Sequence, residues 1–151
     1  MAHPQPAQKT TMKILLPVDG SDHTKRMLAY IAAHDELLGV GHEYVAFTAV
    51  APLPSHAARF LDQATLNDWH AEQAEEVFKP IRAFATQQHW NFRAAHRCGH
   101  AAEAIAAFAE AERPDLILMG THGTSAFVNV VLGSVVTGVI ARCRFPVLLV
   151  R

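Results

Sequence analysis

The chain has 151 residues, half of them apolar and 18% charged, with a formal net charge of −1 when histidine is neutral. That balance suggests neither a disordered chain nor a membrane protein, and it offers no bulk attraction to nucleic acid or to an anionic membrane surface. The length suits one domain with a full hydrophobic core, and two cysteines, Cys98 and Cys143, are too few to staple a secreted fold of this size.

Residues 1–11 contain Pro4 and Pro6 but no apolar run of the signal-peptide kind. A flexible N-terminal extension on a cytoplasmic protein is the expectation, with the folded domain spanning residues 12–151. The first strand runs from Met12 to Val18 as a continuous apolar stretch, which suggests burial on both faces in a parallel sheet. It ends at Asp19-Gly20-Ser21, where Ser21 or Asp22 can cap a helix whose anchors Met27, Leu28, Ile31 and Leu38 recur at helical spacing. Gly39 or Gly41 stops that helix. A second strand follows from Glu43 to Val50, and Pro52 and Pro54 force a loop.

The longest helical pattern covers about residues 64–88, with an apolar stripe of Leu66, Trp69, Val77, Ile81 and Phe84. Pro80 removes a backbone donor inside it and predicts a kink or a break. Trp90 to Cys98 reads as a third strand and Ala101 to Glu112 as an alanine-rich helix anchored by Ile105 and Phe108. Asp115 to Met119 is the fourth strand, Ser134 to Cys143 the fourth helix and Val147 to Val150 the fifth strand. Strands alternating with helices call for one open parallel α/β sheet with right-handed crossovers and helices on both faces.

One stretch carries most of the chemistry: Leu116-Ile117-Leu118-Met119-Gly120-Thr121-His122-Gly123, running on to Leu132-Gly133-Ser134-Val135. A buried strand leads into a glycine-marked loop, and Ser134 stands where it can cap the next helix. Glycines let backbone approach a ligand, and a helix N-terminus presents free N–H groups with partial positive charge, so the stretch can cradle phosphate oxygens.

Gly120-x2-Gly123-x9-Gly133-Ser134 resembles the nucleotide-binding signature of the universal stress protein family. The flanks Lys13-Ile14-Leu15-Leu16-Pro17-Val18-Asp19-Gly20-Ser21 and Phe145-Pro146-Val147-Leu148-Leu149-Val150 resemble it too, so the likeness covers about residues 12–151. The resemblance implies strand order 3-2-1-4-5 and a site for ATP or AMP, with or without a magnesium or manganese ion. By the same resemblance, backbone amides around Gly120, Gly123 and Gly133, with Thr121, His122, Ser125, Ser134 and Val135, hold the phosphates. Asp19 takes the ribose, and Pro17, Val18, Ser21, Val50 and Met119 stand around the sugar and the base. Asp19 also suits an Asx turn or a helix cap on its own chemistry. Members commonly dimerise by antiparallel pairing of the last strand, which predicts a homodimer through Val147 to Val150. Neither nucleic acid nor a membrane is expected as a partner, and the sequence names no protein partner.

The chain departs from the family in its loop: no lysine or arginine lies between Gly123 and Gly133. A γ-phosphate would then lean on backbone dipoles, Ser125, Ser134 and a metal ion. The apolar residues Ala126 to Leu132 either cover the crevice or pack in a subunit interface. The leading expectation is therefore a regulatory nucleotide-binding protein of the stress response, with at most slow ATP hydrolysis. Two alternatives stand beside it. An adenylyl-transfer enzyme of the related ATP pyrophosphatase class would carry Ser-Gly-Gly-x-Asp-Ser where this chain reads Val18-Asp19-Gly20-Ser21-Asp22-His23. A nucleotide-free dimeric interaction module would not need the glycine signature. Outside the site, His96, Cys98 and His100 alternate as zinc ligands could, without an evident fourth ligand, and Cys143 stands between Arg142 and Arg144 as either a reactive or a buried inert thiol.

Overall fold

The computed structural model describes residues 10–122 and 132–151. Residues 1–9 of the expected N-terminal extension, Gly123, Ser125 and the apolar segment from Ala126 to Val131 lie outside the described residues.

Five strands form one sheet: β1 (Lys13–Pro17), β2 (Glu43–Val50), β3 (Asn91–Cys98), β4 (Leu116–Gly120) and β5 (Val147–Val150). All neighbours are parallel, and the order is β3-β2-β1-β4-β5. The continuous apolar runs in β1, β2 and β4 place these strands in the middle, where both faces are covered by helices. Four helices make the crossovers: α1 (Asp22–Ala33), α4 (Gln63–Gln87), α5 (Ala101–Glu112) and α6 (Ser134–Arg142). Two single-turn pieces, α2 (Asp35–Leu38) and α3 (Ser55–Ala58), complete the helices among the described residues. The first helical pattern therefore divides at His34, whose backbone leaves the helical region at φ −119° and ψ 47°, and resumes as α2.

The alternation of each strand splits the core in two. Ile14, Leu16, Tyr44, Ala46 and Leu118 point towards α1 and α4, and meet Met27, Ile31, Phe78 and Ile81. Leu15, Val45, Phe47, Ile117 and Met119 point the other way, towards Ile105, Phe108, Val136 and Val139 of α5 and α6. Phe47 and Phe108 stack there at 4.3 Å. Burying each such side chain stabilises the fold by about 1.5–3 kcal/mol. Gly138 lets α5 and α6 approach closely, since a Cβ there would stand 2.5 Å from the Ala102 Cβ.

The long helix differs from the sequence expectation in two respects. It runs unbroken through Pro80, which lies on its exposed face and leaves the core-facing Phe78 and Ile81 in place on either side. Its buried stripe is Ala74, Phe78, Ile81 and Ala85. Trp69, Val77 and Phe84 flank that stripe half-buried, and Leu66 does not join the cluster.

At the end of the sheet away from the β-strand C-termini, polar groups are paired. The Tyr44 ring stacks on Trp90 at 4.6 Å, while its hydroxyl donates to the Leu38 carbonyl and to the Gly39 carbonyl at 2.9 Å. Burial pushes the Tyr44 hydroxyl well above its ordinary pKa. Glu112 pairs with Arg93 and with Lys13 at 3.4 Å; chiefly the Arg93 hydrogen bond holds its carboxyl below the usual range.

Candidate functional site

β1 and β4 are adjacent, yet the helices that leave them, α1 and α6, pack on opposite faces. Their C-terminal loops therefore open on one crevice at the point where strand order reverses, the place where open α/β sheets bind ligands.

On the β1 side, Pro17 and Val18 are buried, and the Val18 N–H donates to the Phe47 carbonyl at 2.9 Å. Asp19 then turns outward. Its Oδ1 accepts from the Ser21 N–H and from the Thr24 hydroxyl, each at 3.0 Å, and the Thr24 oxygen accepts from the Asp19 N–H at 3.2 Å. The Asx turn expected of this aspartate thus forms, and it fixes the carboxylate while leaving Oδ2 without a partner among the described residues. Gly20 continues with φ +76°, a left-handed turn that a side chain would strain. Thr24 is buried and escaped the sequence reading; its only mark was a hydroxyl in the first turn of the helix that follows Asp19.

Ser21 holds the N-cap position of α1, but its side chain makes no capping bond, and its hydroxyl is buried without a partner. Asp19 instead braces the entry to the helix by holding the Ser21 N–H and the Thr24 hydroxyl. Val50 is buried at the end of β2 in the cluster that contains Val18, whereas Met119 is buried in the opposite cluster. The apolar residues expected around a base therefore come from both faces of the sheet.

On the β4 side, Thr121 is buried. Its N–H donates to the Val150 carbonyl at 3.1 Å, and its own carbonyl accepts from the Gly133 N–H at 2.7 Å. The second bond closes the glycine loop at its base and sets Gly133 beside Thr121. The expectation that Ser134 caps α6 is corrected here: Gly133 is the N-cap residue and Ser134 the first residue of the helix. The Gly133 carbonyl receives the Thr137 N–H at 3.1 Å and the Thr137 hydroxyl at 3.0 Å. Because the Gly133 N–H serves the protein itself, the free donors at this end are the N–H groups of Ser134, Val135 and Val136, with the exposed Ser134 hydroxyl beside them. Gly120 has a packing reason as well as a place in the motif. A Cβ there would stand 2.8 Å from the His23 Cβ and 3.1 Å from the His23 carbonyl oxygen. His122 places Nδ1 3.0 Å from the Thr121 hydroxyl, and its ring lies 5.1 Å from that of His23.

The remaining sequence candidates separate from this crevice. His96, Cys98 and His100 are all exposed, and among the described residues no three histidine, cysteine or acidic side chains converge to hold a metal ion. Cys143 is half-buried, and burial, with Glu110 adding to it, pushes its thiol up and away from reactivity. No helix among the described residues is long and apolar enough to cross a membrane.

A family model described as the universal stress protein family matches residues 10–151. A relative from Thermus aquaticus, the universal stress protein in the QAH/OAS sulfhydrylase 3' region, is 37% identical over 139 residues, which span 91% of this chain and 97% of the relative. Among solved structures, UspA from Lactobacillus plantarum is similar with a TM-score of 0.72 at 21% identity, over 93% of this chain and 97% of that one. A universal stress protein from Archaeoglobus fulgidus in complex with dAMP has a TM-score of 0.63 at 18% identity, over 93% and 98%. An Arabidopsis thaliana family member with AMP bound has a TM-score of 0.66 at 11% identity, over 92% and 90%.

Proposed function

The chain belongs to the universal stress protein family, and from that premise we propose that its crevice between β1 and β4 binds an adenine nucleotide and that the bound state regulates a stress response. The observation that carries the reading is the Thr121–Gly133 hydrogen bond, because it sets the free N-terminus of α6 next to the loop of β4. Phosphate oxygens would take the N–H groups of Ser134 and Val135 and the Ser134 hydroxyl, where the helix dipole favours negative charge. Thr121, His122, Gly123 and Ser125 would complete that side. Asp19 Oδ2 would accept a ribose hydroxyl, with Pro17, Val18, Ser21, Val50 and Met119 around the sugar and base. The AMP and dAMP complexes of the relatives support an adenine nucleotide as the ligand class.

ATP fits the same cradle with its γ-phosphate on Ser125 and Ser134. A magnesium or manganese ion would arrive on the phosphates themselves, since among the described residues no cluster of carboxylates is built for it. Hydrolysis, where it occurs, is slow, and the protein acts by binding in the cytoplasm rather than by turnover. Residues 12–151 form the functional domain, and a homodimer forms through the apolar edge of β5, which needs a partner to cover it.

Calorimetric titration of nucleotide-free protein with AMP and with ATP, with and without magnesium, tests the reading against Gly123→Val/Ser134→Ala. Saturable binding that the double variant abolishes supports it. Absence of binding to the wild type, with no nucleotide carried through purification, overturns it in favour of a nucleotide-free interaction module. Sizing with light scattering at micromolar concentration tests the dimer, and a monomer there refutes it.

A further inference from the structure

His23 lies beside the proposed phosphate cradle, although no sequence pattern marks it. It is the second residue of α1, and only a glycine at position 120 lets its backbone come so near the end of β4. Its ring stands 5.1 Å from that of His122, tilted by 40°. His23 Nδ1 is closed off from solvent and has no hydrogen-bond partner. His122 Nδ1, by contrast, is within 3.0 Å of the Thr121 hydroxyl. Two imidazoles from separate elements thus meet at the loop of β4, and one of them holds a buried nitrogen that no group among the described residues satisfies. An unmet buried polar atom in a crevice is where a ligand atom gains most by arriving.

We propose that His23, acting with His122, contacts the phosphate of the bound nucleotide and takes up a proton as the anion binds. The inference rests on the nucleotide reading above. With no acceptor beside Nδ1 among the described residues, an N–H at that nitrogen has nothing to donate to in the ligand-free protein. A phosphate oxygen at Nδ1 supplies the acceptor for an N–H there, and its negative charge offsets the repulsion that two imidazoliums at this separation feel. Binding and protonation then favour one another, by reciprocal linkage. The other charged groups on the elements around His23 are few. Asp19 at the end of β1 is engaged through Oδ1, and Asp22 on α1 is 3.6 Å from Lys25. Arg26 on α1 and Arg151 after β5 are exposed, and the acids of α2 stand at the far end of α1. No carboxylate hydrogen-bonds to His23 Nδ1, so the ligand's anion is the group that changes its balance.

The test is calorimetric titration with AMP and with adenosine between pH 6 and pH 8, in buffers of different ionisation enthalpy, on the wild type, His23→Gln and His122→Gln. Subtracting each variant from the wild type cancels the titration of the AMP phosphate itself, whose second pKa is about 6. The expected result is uptake of an added fraction of a proton per AMP near pH 7 that both substitutions remove. Between pH 8 and pH 6 the wild-type affinity for AMP should gain about tenfold over that of His23→Gln, within the ordinary range of coupling between linked sites. Adenosine, lacking phosphate, should bind wild type and His23→Gln alike, which also shows that the variant is folded; His23→Asn serves in its place if it is not. Equal proton counts and parallel pH profiles for wild type and the histidine variants would overturn the inference while leaving the nucleotide reading intact. Absence of binding by AMP and adenosine at every pH overturns both.

Discussion

Gly120 separates a packing requirement from a ligand requirement, and Gly120→Ala tells them apart. The added Cβ would meet the His23 Cβ at 2.8 Å, the His23 carbonyl oxygen at 3.1 Å and its carbonyl carbon at 3.2 Å. These are backbone and near-backbone atoms of the first turn of α1, so no side-chain rotation relieves the contact. Either α1 or the end of β4 must shift, and overpacking of this kind costs about 1–3 kcal/mol. For a chain of this length the melting temperature should fall by about 2–4 °C for each kcal/mol. Urea titration of the wild type and Gly120→Ala measures the loss. A double-mutant cycle with His23→Gly isolates its cause, because removing the His23 Cβ takes away the closest of the three contacts. The expected coupling is favourable and about 1 kcal/mol, the share of the overpacking penalty assigned to that contact. If Gly120→Ala keeps full stability and loses only nucleotide affinity, glycine is there for the ligand alone and the packing argument is wrong.

Tyr44 should make the fold sensitive to alkali. Its folded pKa is raised by burial, so its contribution is complete below about pH 10, the unfolded value, and is lost above it at up to about 1.4 kcal/mol per pH unit. Tyr44→Phe should cost about 1–2 kcal/mol at neutral pH through the unpaired Leu38 and Gly39 carbonyls, and should show a shallower fall of stability between pH 10 and 11.5. Glu112 works in the opposite sense. Its folded pKa is depressed, so its stabilisation is present above the unfolded value of about 4.3 and fades as pH falls through the folded one. With Lys13 and Arg93 partly in solvent, Glu112→Gln should cost only about 0.5–1 kcal/mol at pH 7, and the difference from wild type should fade as pH falls through the folded pKa of Glu112. Thr24→Val removes the hydroxyl that orients the Asp19 carboxylate, and adenosine affinity measured by calorimetry should fall about 3–10-fold, equivalent to roughly one ordinary hydrogen bond; an unchanged affinity would remove Asp19 from the nucleoside side.

The sheet was legible from the sequence because burial on both faces leaves a simple trace. Ile14 to Val18, Tyr44 to Phe47 and Leu116 to Met119 are unbroken apolar runs, and helical spacing between them leaves little but a doubly covered parallel sheet. Strand order is not written in any run; it came from the resemblance, and the register of β1 against β4 bears it out. The long helix does not break at Pro80, for a physical reason. Pro80 breaks a helix only where its missing donor or its ring is not tolerated, and here it faces outward while Phe78 and Ile81 hold both halves on the sheet.

At the crevice, the residues that were legible are those whose type is informative alone: Asp19 at a strand end and glycines at loop corners. The unread ones act through partners distant in sequence. Ser134 was expected to cap α6 from its side chain, but the cap is set by where the first turn closes, and the Gly133 carbonyl takes the Thr137 N–H, which makes Ser134 the first helical residue. Thr24 matters because Asp19 leans on it, and His23 because Gly120, nearly a hundred positions on, makes room for it. The glycine that a motif assigns to the ligand is thus also the contact that brings α1 up to the end of β4. A substitution at Gly120 should therefore disturb the His23 side of the crevice as well as the phosphate loop. The effect on AMP affinity of Gly120→Ala and of His23→Gln should be less than additive for the same reason.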